Sequence, residues 1–162
     1  MKTSIVIVLL AAPWPVAAQD SVTTDPAALA VKVLNEGVTS LDPSDMLAWV
    51  ELPRSVKKGD SLTLTITVEN ARKAGDFDLE SVDIDGSFLR GFRIESVRPP
   101  SDETDDSFDT LTLEYSKAIG PGESLEFVIE MTAVEPGIYI GEVSIWDEED
   151  FLSRYVQCKV LE

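Results

Sequence analysis

The chain has 162 residues with 30 acidic and 13 basic side chains, a formal net charge of −17, one cysteine and no histidine. An acidic excess of this size repels phosphate backbones and anionic lipid headgroups, and it therefore argues against nucleic acid as a partner. Without histidine and with a single cysteine, the chain also lacks the Ser-His and Cys-His nucleophile pairs, the usual ligands of zinc and copper, and any intrachain disulfide.

The first 18 residues have the pattern of a secretory signal peptide. Lys2 provides a basic start, residues 5–12 form an apolar run that is short for a membrane span, and residues 16–18 supply the small side chains of an export cleavage site. An uncleaved anchor is the alternative, although the prolines that follow the apolar run would interrupt a longer membrane helix. No later segment is apolar enough to span a bilayer. The sequence thus predicts a secreted or periplasmic protein with no transmembrane segment after cleavage.

Residues 19–43 are predicted to form a leader or linker. Asp25 and Pro26 can cap and start a helix over residues 27–35. Alternating apolar residues over 29–33 fit an edge strand equally well. We favour a short helix or irregular structure here, and we place the globular domain at residues 44–162.

Alternation of apolar and polar residues predicts about seven to eight strands in this domain. The clearest is 61–70, where the apolar side chains of one face alternate with threonines. Trp49 is assigned to the core, residues 101–107 to a charged loop and 147–150 to a turn. The predicted strands cover residues 46–52, 61–70, 79–85, 88–97, 109–116, 124–133, 138–146 and 152–161. Short strands at this spacing predict an all-β, immunoglobulin-like Greek-key sandwich.

The pattern of residues 61–70 recurs at 124–133, and both segments follow a Gly-acidic turn. An internal duplication is one interpretation. The other is convergence, because two core strands that begin at similar turns need similar residues. Either way, we expect the two segments to be central strands and neighbours in one sheet.

Two single residues carry structural predictions. Tyr139 follows an acidic residue and a Pro-Gly pair, the spacing at which a tyrosine hydroxyl bonds back to the chain at the corner of an immunoglobulin-like domain. Cys158 shares a strand face with Val156 and Val160, which favours a small buried side chain over a reactive or intermolecular thiol.

On these features the chain resembles the bacterial extracytoplasmic immunoglobulin-like or fibronectin-III-like modules, including the cell-adhesion-related type abbreviated CARDB. The likeness lies in residues 56–60 with the threonine-rich strand that follows, in 121–123 and in 136–141, and it extends over about residues 47–161. It implies the sandwich fold. Such modules occur in adhesins, enzyme-appended spacers and assembly factors, so the likeness implies no particular ligand.

Acidic clusters in predicted turns raise the question of calcium. Calcium binds several oxygen ligands on a turning backbone, which makes Asp83, Asp85, Asp147 and Glu149 candidate ligands. Asp-x-Asp-Gly at 83–86 lacks the continuation of an EF-hand loop. The alternative is that these carboxylates are solvated charges that keep the sheet edges from aggregating.

The last hairpin offers a candidate surface for a partner. If Tyr139, Val143 and Ile145 point inward, then Ile140 and Trp146 point outward, and the returning strand places Tyr155 beside them. Exposed aromatic side chains close together can bind a sugar ring or a protein. Alternatively, they pack beneath a loop or beneath residues 20–43.

Three functions remain open on the sequence. The leading hypothesis is a secreted, non-catalytic module for protein–protein interaction or assembly at the cell envelope, binding through a sheet edge or through the outer face of the last hairpin. The alternative is a carbohydrate-binding module, with or without calcium, that uses the exposed aromatic residues of that hairpin. A carboxylate-based hydrolase is formally open, but no catalytic pair can be nominated, and we predict no enzymatic activity.

Overall fold

The structure, a computed structural model, describes residues 30–33, 45–148 and 150–162. Its elements in chain order are β1 (Ala30–Val33), β2 (Met46–Pro53), β3 (Ser55–Lys57), β4 (Ser61–Asn70), β5 (Phe77–Asp85), α1 (Gly86–Leu89), β6 (Phe92–Arg98), β7 (Glu103–Ser107), β8 (Thr110–Ile119), β9 (Ser124–Ala133), β10 (Gly137–Asp147) and β11 (Asp150–Leu161). The predicted signal peptide over 1–18 and most of the predicted leader over 19–43 lie outside the described residues.

The strands form two sheets that enclose one core. The first sheet has the order β1-β2-β4-β9-β6, and the second has the order β3-β11-β10-β5-β8-β7. Neighbouring strands are antiparallel except for β3 and β11, which are parallel. The predicted all-β sandwich is therefore confirmed.

The centre of the core lies between the two sheets, against the paired strands β4 and β9 of the first sheet. Ile66 is directly opposite Phe127 in their register, and both side chains are fully buried. The Phe127 ring contacts Tyr115 of β8 in the second sheet, with the ring centroids 4.9 Å apart. Burial raises the pKa of Tyr115 to about 12, and its hydroxyl donates a hydrogen bond to the Pro99 carbonyl at 3.2 Å. Alternation along β4 and β9 thus places one face of each strand in the core.

The two strands with the strongest alternation are correctly predicted. Residues 61–70 and 124–133 match β4 and β9, and they pair along most of their length. Cys158 is also buried as predicted, and this burial raises the pKa of its thiol to about 11. A thiol of that pKa carries little thiolate at neutral pH, so its role here is packing.

Three local predictions are wrong, and one strand was missed. Residues 101–107 are not a loop, because Glu103–Ser107 forms the edge strand β7. The segment 88–97 begins in the one-turn helix α1 and becomes a strand only at Phe92. Strand β3 was not predicted. Trp49 is not in the core, because Ala48 and Val50 take the inward positions of β2 and the alternation turns Trp49 to the partly exposed outer side.

Residues 30–33 form a strand, where helix or irregular structure was favoured. Strand β1 pairs antiparallel with β2, with Ala30 opposite Pro53 and Val33 opposite Val50. Over these four residues the edge-strand alternative matches the structure. The boundaries proposed for the leader and for the globular domain stay predictions.

Asn70 joins the two sheets at one end of the sandwich. It ends β4 and its side chain is fully buried. The Nδ2 group donates hydrogen bonds to the carbonyl of Ile119 in β8 at 2.8 Å and to that of Gly75 at 3.0 Å, while Oδ1 accepts one from the Arg72 amide at 3.0 Å. One side chain thereby satisfies backbone groups of β8 and of the turn that leads into β5.

Candidate functional site

The hairpin of β10 and β11 presents one side of its pleat to the core and the other to the surface. Val143 and Ile145 are fully buried, so the residues that alternate with them along β10 point outward. Across the hairpin, the residues on this side pair Ile140 with Gln157, Glu142 with Tyr155, Ser144 with Ser153, and Trp146 with Phe151; Ser153 is fully buried. The structure thus places Ile140, Trp146 and Tyr155 on one surface.

Four large hydrophobic side chains on this surface are exposed. The exposed fractions are 61% for Ile138, 56% for Ile140, 44% for Tyr155 and 37% for Leu161. We call these four residues the hairpin face. Isolated exposed hydrophobic residues are common on protein surfaces, whereas several on one adjoining pair of strands are characteristic of an interaction site.

The start of β10 is held firmly in place. The Tyr139 hydroxyl donates a hydrogen bond to the Glu135 carbonyl at 3.0 Å, which confirms the predicted corner. Its ring meets Phe92 edge-on, with the centroids 5.6 Å apart. A Cβ at Gly141 would lie 2.6 Å from the Cβ of Phe88, so this position has no room for a side chain. These contacts fix the backbone on both sides of Ile140.

The short helix α1 supports the same part of β10. Asp85 caps the helix, because its Oδ1 accepts a hydrogen bond from the Ser87 amide at 2.7 Å. The Ser87 hydroxyl in turn donates a hydrogen bond to the Ile140 carbonyl at 2.9 Å. The β10 backbone beneath the hairpin face is therefore held by a hydrogen bond from α1 as well as by its pairing with β11.

A cleft of about 240 Å³ opens beside the hairpin face. Strands β5, β8 and β10 bring its walls together, since Asp83 lies opposite Ser144 and Asp85 lies opposite Thr110. The lining residues are Asp83, Asp85, Thr110, Glu142, Ser144 and Trp146. We call this the acidic cleft.

The aromatic end of the acidic cleft is more enclosed than the sequence indicated. Trp146 points to the outer side of the sheet as predicted, but it is only partly exposed and packs against Phe151, with the ring centroids 4.7 Å apart. Its indole Nε1 is buried and has no hydrogen-bond partner among the described residues. Trp146 is therefore a wall of the cleft and not a freely exposed platform.

The carboxylates of the acidic cleft have few partners. The Ser81 hydroxyl donates a hydrogen bond to Asp83 at 3.1 Å, and Asp85 caps α1 as described above. Within the described part of the chain, none of Asp83, Asp85 and Glu142 forms a salt bridge with a lysine or arginine; the ion pairs found there involve other carboxylates. Within the described ranges, the carboxylates of the cleft are thus left without an ion-pair partner.

Three of the four candidate calcium ligands lie in the described residues, and only two of these three line the same cleft. Asp83 and Asp85 line the acidic cleft, whereas Asp147 lies at the end of β10 with its carboxylate 3.6 Å from the Arg72 guanidinium. Burial raises the pKa of the Asp147 carboxyl, and Arg72 opposes that effect. Glu149 lies outside the described residues. Among residues 30–33, 45–148 and 150–162, no group of three or more His, Cys, Asp or Glu side chains is arranged to hold a metal ion.

Comparison with known proteins gives no match among protein-family models and none among curated proteins. Solved structures do match. The chain is similar to the CARDB domain of a Pyrococcus furiosus protein, solved in complex with di-metal ions, with a TM-score of 0.50 and 14% identity over 72% of this chain and 88% of that chain. The solution structure of the same domain gives a TM-score of 0.50 and 13% identity over 72% of this chain and 94% of that chain.

A cohesin module from a Clostridium perfringens family 33 glycoside hydrolase also matches, with a TM-score of 0.47 and 10% identity over 72% of this chain and 97% of that chain. In the described ranges, no helix has the length and apolar character needed to cross a membrane. At sequence identities of 13–14%, the likeness to solved structures shows the fold and not the activity. The similarity to CARDB domains confirms the resemblance drawn from the sequence: the chain has the fold of a CARDB-type β-sandwich module.

Proposed function

We propose that this chain is an exported, non-catalytic module that binds another protein through the hairpin face. The observation that carries the proposal is the cluster of exposed Ile138, Ile140, Tyr155 and Leu161 on one side of β10 and β11. Burying apolar surface of this kind contributes about 25 cal/mol per Å² to association. The predicted signal peptide supports a location in the periplasm or outside the cell.

Two of the sheet edges, β7 and β6, are less suited to binding than the hairpin face. Strand β7 is an edge with exposed acidic residues at Glu103, Asp105 and Asp106, and charges of this kind protect an edge from pairing. Strand β6, an edge of the other sheet, has a register irregularity between Ile94 and Ser96. Bulges of that kind twist an edge and disrupt its ladder.

Carbohydrate binding is supported less well. The aromatic residue that lines the acidic cleft is Trp146, and Phe151 packs against its ring. Sugar recognition by stacking needs an open aromatic face. The cleft does contain carboxylates and hydroxyl groups, so a sugar could be hydrogen-bonded there, but the exposed apolar side chains of the hairpin face favour a protein.

The proposal predicts that two substitutions on the hairpin face abolish partner binding. Capture from the envelope and secreted fractions of the source organism compares the mature chain with the double variant Ile138→Ser, Ile140→Ser. Each isoleucine buried in a complex contributes on the order of 1.5 kcal/mol or more, so the double variant should bind at least about 100-fold more weakly.

The matched control is Phe108→Ser, which removes a fully exposed hydrophobic side chain from the turn between β7 and β8. We expect it to capture the same protein as the unchanged chain. The proposal is wrong if all three chains retain the same proteins, or if no protein is retained specifically by the unchanged chain.

A further inference from the structure

The acidic cleft and the hairpin face form one continuous surface. Glu142 of the cleft lies directly opposite Tyr155 of the face, and Ile140 precedes it by two positions on the same side of β10. Side chains two positions apart on a strand are about 7 Å apart. A partner segment that covers Ile140 and Tyr155 therefore has side chains within reach of the cleft.

The cleft presents mainly acceptor groups to a ligand. Asp83 and Glu142 offer carboxylate oxygens, and neither is neutralised by a cation of the described chain. Carboxylates accept several hydrogen bonds each, and the Ser81 hydroxyl fills only one site on Asp83. A group that donates hydrogen bonds and carries a positive charge is therefore complementary to these carboxylates.

From this complementarity we propose that the protein partner of the hairpin face inserts an arginine side chain into the acidic cleft. The inference rests on the proposed function and specifies the partner's chemistry: a segment with an arginine flanked by apolar residues. The apolar residues cover Ile138, Ile140 and Tyr155, and the guanidinium pairs with Asp83 and Glu142.

Arginine fits this cleft better than lysine or a bare cation. A volume of about 240 Å³ is far larger than an ion, and no metal-binding group of carboxylates is found in the described part of the chain. A guanidinium has five donors in a planar fork that matches carboxylates, whereas an ammonium acts as a point charge.

The pre-ordering of the cleft favours such a contact. Asp83 is held by the Ser81 hydroxyl, and the Ile140 carbonyl beside the cleft is held by Ser87 of α1. Ordering free side chains on binding opposes association, and groups that are already positioned avoid part of that cost. The cleft therefore provides specificity for a positively charged side chain, while the hairpin face provides the apolar contacts.

A titration with a small probe tests the inference without the protein partner. Argininamide and its uncharged analogue citrullinamide are added separately to the mature chain, and amide and indole signals are followed by NMR. We expect argininamide to shift the signals of Asp83, Glu142, Ser144 and Trp146 in a saturable way. Citrullinamide should bind at least about 10-fold more weakly, because it keeps the shape and loses the charge.

The variants Asp83→Asn and Glu142→Gln should each weaken argininamide binding several-fold, and Asp60→Asn should leave it unchanged. Asp60 is an exposed carboxylate in the turn before β4, so this control removes the same charge at a remote site. Asp85 is left intact because it caps α1. All three variants change partly or fully exposed side chains, so the fold is expected to persist.

The inference is overturned if the two probes bind alike, if the shifts spread over the whole acidic surface, or if Asp60→Asn weakens binding as much as the cleft variants. The double variant Ile138→Ser, Ile140→Ser should still bind argininamide. Loss of protein capture alongside retained argininamide binding would thus support both proposals. Retained capture without argininamide binding would overturn the proposed arginine contact and leave the proposed protein-binding function standing.

Discussion

Replacing Asn70 by leucine should lower the free energy of unfolding by about 3 kcal/mol. Leucine has the same branching and number of side-chain heavy atoms but makes none of the three hydrogen bonds of the amide. The buried carbonyl of Ile119 would lose the amide donor, and the Gly75 carbonyl and the Arg72 amide would depend on water for a hydrogen bond. Each such group costs about 1–3 kcal/mol when it is fully buried, and less where water can enter.

Urea denaturation of the unchanged chain and of Asn70→Leu measures the difference from the shift of the midpoint. Gln157→Leu is the matched control, because it makes a comparable amide-to-leucine change at an exposed position of β11. We expect the control to stay within about 0.5 kcal/mol of the unchanged chain. Equal stabilities for Asn70→Leu and Gln157→Leu would show that Asn70 does not tie the sheets together.

Replacing Phe127 by alanine should have the largest effect on stability, a loss of about 3–5 kcal/mol. The ring is fully buried at the centre of β9, opposite Ile66 and against Tyr115 of the other sheet. Its removal opens a cavity between the sheets that the rigid strands on both sides cannot close. Since folded domains are stable by about 5–15 kcal/mol, this variant should unfold at a much lower urea concentration.

The control for this prediction is Phe108→Ala. The same atoms are removed, but Phe108 is fully exposed in the turn between β7 and β8. Its replacement should change the midpoint of unfolding little, by about 0.5 kcal/mol or less. If the two alanine variants are destabilised alike, the interface between β9 and β8 is not the core described above.

Strands with one buried face could be predicted from the sequence because burial leaves a period of two. In β4 the buried residues Leu62, Leu64, Ile66 and Val68 alternate with threonines, and both ends of the strand match the prediction. The corner at Tyr139 was also predictable, because the hydroxyl and its acceptor are only four residues apart in the sequence. Local signals determine such features directly.

Strands without a buried face show no alternation of apolar and polar residues in the sequence. Strand β7 consists of polar residues that are mostly exposed, so its composition is that of a loop and only its pairing with β8 makes it a strand. Strand β3 has three residues and forms by parallel pairing with the distant β11. In both cases the partner strand, and not the local sequence, determines the structure.

The candidate site was predictable in part. Alternation along β10 places Glu142 and Ser144 on the side of Ile140, and this signal was present although the prediction did not use it. What the sequence did not show is that β5 lies beside β10 and β8 beside β5, which brings Asp83 and Thr110 into the same cleft. Order within a sheet depends on long-range packing, so a cleft between non-consecutive strands is not visible in a local pattern.

Site-specific photo-crosslinking in the source organism tests the central claim most directly. A photoreactive phenylalanine derivative is introduced at one of three exposed positions: Ile140 on the hairpin face, Asp105 on the β7 edge or Ser96 on the β6 edge. The account predicts one specific adduct with another protein from position 140 and none from positions 105 and 96. Adducts from an edge position alone, or no adduct from position 140, would contradict it.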